Sequence, residues 1–90
     1  HKGTIENAYS ILNGEYEIIE AEIIETSELI NKELKNANLP DEIKIGAILR
    51  GNNVIIPRSS FIFKKKDVVV FLTKKDFLPV VENMFRISSI

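Results

Sequence analysis

Hydrophobic and polar positions alternate in blocks that change period several times along the chain. Ile5, Ala8, Tyr9 and Leu12 recur at helical spacing, with Thr4 placed as N-cap and Gly14 as C-terminal stop, and predict a short first helix. In the run EYEIIEAEIIE, Glu15 to Glu25, Ile19, Ala21 and Ile23 alternate with Glu20 and Glu22, a strand with one wet face. Tyr16 and Ile18 have the opposite parity, so a bulge or change of face is expected near Ile18–Ile19, and a helix is the alternative for this run. From Ser27, a good N-cap, Leu29, Ile30, Glu33, Leu34 and Ala37 form an amphipathic pattern that predicts a second helix. Asn38 suits a left-handed stop, and Pro40 cannot continue the helix.

The second half reads more sharply. Ile43, Ile45, Ala47 and Leu49 are expected on one face of a strand, and Lys44, Gly46, Ile48 and Arg50 on the other. Gly51-Asn52-Asn53 tolerates positive φ, so Ile43–Arg50 and Val54–Pro57 should pair as a hairpin that Pro57 ends. Phe61-Ile62-Phe63 reads as a strand fragment, Lys64-Lys65-Lys66-Asp67 as a polar turn and Val68–Leu72 as a buried strand. Phe77, Leu78, Val81, Met84 and Phe85 mark one face of a closing helix. Its start is either a Thr73/Asp76 capping box with a kink at Pro79, or Asp76 as the cap itself, the preferred reading. Together these predict an α+β domain: a small mixed or antiparallel sheet with a central β-hairpin and two to three helices.

Composition narrows the chemistry. At 90 residues the chain is one domain with one modest core. Twelve basic and 13 acidic residues leave a net charge of -1, which lacks the basic footprint of a nucleic-acid binder. Without cysteine, and with His1 as the single histidine, thiolate sites, Ser-His-Asp triads and HExxH zinc helices are excluded. No catalytic residue and no metal site is assigned, and no enzymatic activity is expected. The longest stretch free of Asp, Glu, Lys and Arg is eight residues, Asn7 to Gly14, against the ~20 of a spanning helix. With no secretory signal in HKGTIENAYS, the chain reads as cytosolic, and its opening as that of an excised domain.

Several clusters have ordinary readings. Glu15, Glu17, Glu20, Glu22 and Glu25 are read as a solvated strand face rather than a cation site, and Lys64-Lys65-Lys66 as a solubilising turn. Ser59-Ser60 has no base to activate it. No Gly-rich strand-to-helix turn is present to cradle a pyrophosphate, so nicotinamide and adenine nucleotides are not expected to bind. Arg50 closes a strand just before a rigid turn, where its fork suits a bidentate contact to an anion or across an interface; the alternative is an intradomain bond to Asp67 or a turn carbonyl. Lys44 shares its expected face. The apolar runs at 54–56, 61–63 and 68–71 exceed what one small layer pair can cover, so self-association is expected.

The run IGAILRGNNVIIPRSSFIFKKKDVVVFLTKKDFLPVVENMF, Ile45 to Phe85, resembles the C-terminal regulatory domain of the TrkA-type (RCK) family. The matching parts are Leu49-Arg50-Gly51, Val54-Ile55-Ile56-Pro57, Lys66-Asp67, Val68-Val69-Val70-Phe71 and Asn83-Met84-Phe85. The opening strand and helix fit Ile18–Ile24 and the segment after Ser27. The resemblance implies that 1–14 is the tail of a preceding Rossmann-type half or a linker, and that 15–90 is the regulatory domain itself. It implies a non-catalytic module that controls a membrane potassium channel or transporter through dimer packing, as a homodimer or higher ring on the cytoplasmic face. An integral membrane potassium transporter would be the partner in the full protein. NAD(H) or ATP/ADP would bind only the missing Rossmann-type half, so no cofactor is expected in this fragment. Some relatives bind a small effector, a cyclic dinucleotide or a cation, at the pairing surface. Asn38, Lys44, Arg50 and Arg58 are the candidate effector or dimer-interface contacts. Asn38 and Lys44 match the dinucleotide-contacting positions only weakly, and Lys66 stands where the family commonly has Gly. The rival reading is a small-molecule-sensing domain attached to another cation transporter, an enzyme or a transcription factor.

Overall fold

The computed structural model describes residues 5–85. Five strands, β1 (Ile5–Ile11), β2 (Tyr16–Glu22), β3 (Ile43–Arg50), β4 (Asn53–Ile55) and β5 (Val68–Lys74), form one antiparallel sheet in the order β1-β2-β5-β3-β4. One α-helix, α1 (Leu78–Phe85), and three short 3-10 turns complete the described residues, an α+β domain. The two or three expected helices are thus reduced to one, and the predicted hairpin lies at the sheet edge. The centre belongs to β5, whose Val-Val-Val-Phe-Leu run suits pairing on both sides.

The segment expected to open as a helix is β1. Leu12, Asn13 and Gly14 take φ of 50, 57 and 87°, reversing the chain tightly so that β1 pairs back on β2. Pairing satisfies backbone groups that a short, largely exposed helix would gain little by burying. The expected cap Thr4 lies outside the described residues. The bulge expected at Ile18–Ile19 is absent: β2 pairs with β5 residue for residue from Tyr16 to Glu22, and Tyr16 and Ile18 simply occupy the second face. The extra residues sit in the neighbours, at Glu6 of β1 and Gly46 of β3.

The predicted helix from Ser27 to Ala37 is replaced by turns and a 3-10 turn at Leu34–Asn36. Asn31 sits at φ 63°, which no right-handed helix accommodates. The backbone here bonds instead to the 59–63 loop: Asn31 N–H to Phe63 O (2.8 Å), Phe63 N–H to Lys32 O (3.0 Å) and Leu34 N–H to Phe61 O (2.7 Å). That explains the strand-like character of Phe61–Phe63, reduced to one bridge between Glu33 and Ile62. Ser27 still acts as a local cap, its Oγ accepting from Leu29 N–H (3.2 Å) while donating to Met84 O (2.8 Å), which ties this segment to α1.

The core lies on one side of the sheet, where Ile19, Ala21, Ile48, Val69 and Phe71 meet Leu29, Phe63, Val81 and Phe85. The closing helix keeps its expected apolar face, with Val81, Met84 and Phe85 buried. Its start follows neither predicted cap. Lys75–Phe77 form a 3-10 turn, and Pro79 falls at the second position of α1, where its missing N–H costs nothing.

Candidate functional site

Gly46 decides where the side chains of β3 go. Because it is an extra residue opposite β5, Ile45 pairs with Phe71 but Ala47 pairs with Val70. The alternation therefore reverses: Ile48 is fully buried on the core side, while Ala47 and Leu49 join Lys44 on the second face. Arg50, expected opposite the core, has the parity of Ile48 and turns toward the core side.

There it makes the intradomain bond that the sequence left as an alternative. Nε donates to Asp67 Oδ1 and Nη2 to Asp67 Oδ2, each at 2.8 Å, with a further bond from Nη2 to Ile62 O at 3.0 Å. Asp67 is 1% exposed and also accepts the Lys64 N–H at 2.9 Å. The guanidinium lies 4.9 Å from the centroid of the Phe61 ring, which meets Phe63 edge-on. The Asp67 hydrogen bonds hold the Arg50 side chain above the ordinary arginine range, outweighing the opposing effect of burial. This fork is already filled. It clamps the 61–67 loop to the end of β3, and the Nε–Nη2 edge of the fork is occupied by Asp67 and Ile62 O.

The 64–67 turn is fixed on its other side by Ile23, which donates to Asp67 O and accepts from Lys66 N–H, both at 2.8 Å. Lys66 has φ 75°, a left-handed geometry that favours glycine.

The remaining site candidates lie apart. Asn38 is exposed at φ 55°, in the loop before β3. Lys44 lines a shallow cleft with Tyr16, Asp41, Glu42, Leu72 and Lys74. Arg58 lines a different groove, beside Ile55, Ile56 and Phe61 at the free edge of β4. The glutamates of the acidic run are split by strand alternation and turns, and among the described residues no group of three or more acidic or histidine side chains could hold a metal ion.

Sequence reading missed the second face of the sheet. Ile18, Val68, Val70, Leu72, Ala47 and Leu49 lie on it, half-exposed, and none belongs to the buried core. The unbroken apolar run of β5 carried the signal, since a strand with one wet face would have alternated. These six side chains are apolar, and what they offer is surface for association. Among the described residues no helix is long and apolar enough to cross a membrane.

Comparison with known proteins identifies relatives over nearly the whole chain. The TrkA-C domain family matches residues 18–86, from within β2 to the end of α1. A Trk system potassium uptake protein TrkA from Azorhizobium caulinodans is 36% identical over 87 residues, covering 97% of this chain and 19% of the relative. The TrkA of Haemophilus influenzae is 35% identical over 92 residues, with 98% and 20% covered, and an Archaeoglobus fulgidus TrkA homolog is 34% identical over 64 residues, with 71% and 15% covered. The chain spans about a fifth of the length of the first two relatives. With the family matched over most of its length and relatives above 30% identity covering nearly all of it, the chain belongs to the TrkA-C domain family.

Proposed function

We propose that this chain is a regulatory, non-catalytic module of a potassium uptake system. The observation that carries this reading is the alignment of 97% of the chain with a TrkA potassium uptake protein. The chemistry supports it, because the chain has no cysteine and no histidine beyond His1, and its most ordered polar cluster, Arg50–Asp67, is spent on holding a loop. In this reading residues 15–90 form the module and 1–14 join it to a nucleotide-binding half that houses NAD(H) or ATP/ADP. The module works on the cytoplasmic face of the membrane as a homodimer or higher ring, and its packing biases an integral potassium transporter between two states. Asn38, Lys44 and Arg58 remain available for an effector or a partner, whereas Arg50 acts by positioning the loop beside them.

Potassium flux into proteoliposomes holding a Trk-type transporter tests the reading, with the 90-residue chain added at the cytoplasmic side. Binding of the chain, together with a changed flux, is the expected result. Absence of both binding and any change in flux at saturating chain would contradict it.

A further inference from the structure

We propose that Asn13-Gly14, in the turn between β1 and β2, is a site of spontaneous deamidation, and that its isoaspartate product releases β1 from the sheet.

The chemistry needs water and no enzyme. The backbone nitrogen of Gly14, once deprotonated, attacks the side-chain amide carbon of Asn13. The new C–N bond closes a five-membered succinimide, and ammonia leaves. Water then opens the ring at one carbonyl to give aspartate, or at the other to give isoaspartate, whose main chain runs through Cβ. Of the eight asparagines in the chain, Asn13 alone is followed by glycine, the residue that hinders this attack least. Asn13 is exposed, and a Cβ placed on Gly14 would meet nothing within 4 Å, so the space around the reacting atoms is open.

The turn is also easy to open. Closing the ring swings Asn13 far from its folded φ of 57° and ψ of 33°. Its neighbour Leu12 gives little resistance. It holds a left-handed φ of 50°, which strains a residue with a Cβ, and at 65% exposure its side chain recovers little by packing.

The product acts through the backbone rather than through charge. The cleft beside Asn13 already pairs Glu15 and Asp76 with Lys74 and Lys75, a setting that tolerates one more carboxylate. Isoaspartate instead inserts an extra main-chain atom into the three-residue turn that sets Ile11 opposite Tyr16. β1 is an edge strand paired only with β2, and of its side chains only Ile5 packs against the core. It can therefore leave while the core stays closed. Under the proposed function β1 belongs to the segment joining the module to its preceding half, so ageing at Asn13 loosens that joint. This last step alone rests on that reading, and the measurements below are independent of it.

The 90-residue chain is aged in warm, mildly alkaline buffer, with and without urea. Its peptides are then mapped by mass spectrometry with electron-transfer fragmentation, which separates isoaspartate from aspartate. Asn13 should convert at least ~10-fold faster than any other asparagine. In native buffer it should react no more than ~10-fold slower than in urea, equivalent to about 1.4 kcal/mol of turn opening. Hydrogen exchange of the aged chain should show β1 amides exchanging at least ~10-fold faster than in the fresh parent, with β3 and β5 unchanged. Asn13→Asp, which carries the charge on a normal backbone, should exchange like the parent. Another asparagine reacting first, or stronger protection in native buffer than that, would overturn the site. Parent-like exchange in β1 of the isoaspartate form, or equal acceleration in Asn13→Asp, would overturn the release of β1 by the extra backbone atom.

Discussion

Along β5, Val69, Phe71 and Thr73 are sealed beneath α1 and the Phe63 loop, each at 1% exposure or less, while their neighbours Val68, Val70 and Leu72 stay half-exposed. The two sets have nearly the same chemistry and differ in what lies above them. One face of the strand holds the domain together; the other, in the proposed reading, is the surface for association. An apolar side chain in this sheet is structural or functional according to its parity, and a one-residue bulge is enough to exchange the roles.

Substitutions can break that comparison at its strongest point first. Phe71→Ala removes a ring packed 5.1 Å from that of Phe85 and should cost about 3–5 kcal/mol in denaturant unfolding. Leu72→Ala, one residue along, should cost less than about 1.5 kcal/mol at concentrations where the chain is monomeric. Equal losses at the two positions would show that both faces belong to the core.

The clamp comes next in size. Arg50→Lys keeps one charge but loses the fork, leaving the buried Asp67 with fewer donors, and should destabilise by about 2–3 kcal/mol, moderated by the partial exposure of Arg50. A loss below about 0.5 kcal/mol, the level of an ordinary surface change, would make the clamp dispensable. The pH dependence follows from sign. The side chain of Arg50 titrates higher in the folded chain, so its contribution is fully present below the ordinary arginine range and fades only in strong alkali. The difference between parent and Arg50→Lys should accordingly stay flat from neutral to mildly alkaline pH in urea titrations.

Smaller effects sharpen the account of local geometry. Lys66→Gly relieves a side chain from φ 75° and should stabilise by about 1 kcal/mol, read as a raised Tm. Gly46→Ala should stay within about 1 kcal/mol of the parent: a Cβ there meets only Val70 O at 3.7 Å, and the φ of Gly46 is not left-handed. A collapse in Tm on Gly46→Ala would mean that the bulge depends on glycine itself.

These positions also show what the sequence could reveal. The bounds of β3, the identity of β5 and the buried stripe of α1 were legible because periodicity, turn residues and burial agree there. The parity of Arg50 was not, although a glycine inside a strand pattern is itself a signal of a bulge. Had Gly46 been read that way, Ile48 would have joined the core and the fork of Arg50 would have pointed at Asp67. The 27–37 segment misled for a different reason. Its helical spacing is genuine, but its backbone bonds to residues 59–63, a long-range demand that no local pattern carries. The open face was hidden by the same logic, since side-chain type cannot say which face of a central strand lacks a cover.

The division of labour between the two faces of β5 is tested most directly by the concentration dependence of thermal unfolding. Self-association through the open face stabilises the folded chain by mass action, so the parent Tm should rise as concentration increases from about 1 to several hundred micromolar. Val70→Asp should leave the Tm at the lowest concentration within a few degrees of the parent and abolish its rise. A Val70→Asp chain that unfolds as readily as Phe71→Ala, or whose Tm still climbs with concentration as the parent's does, would contradict the account.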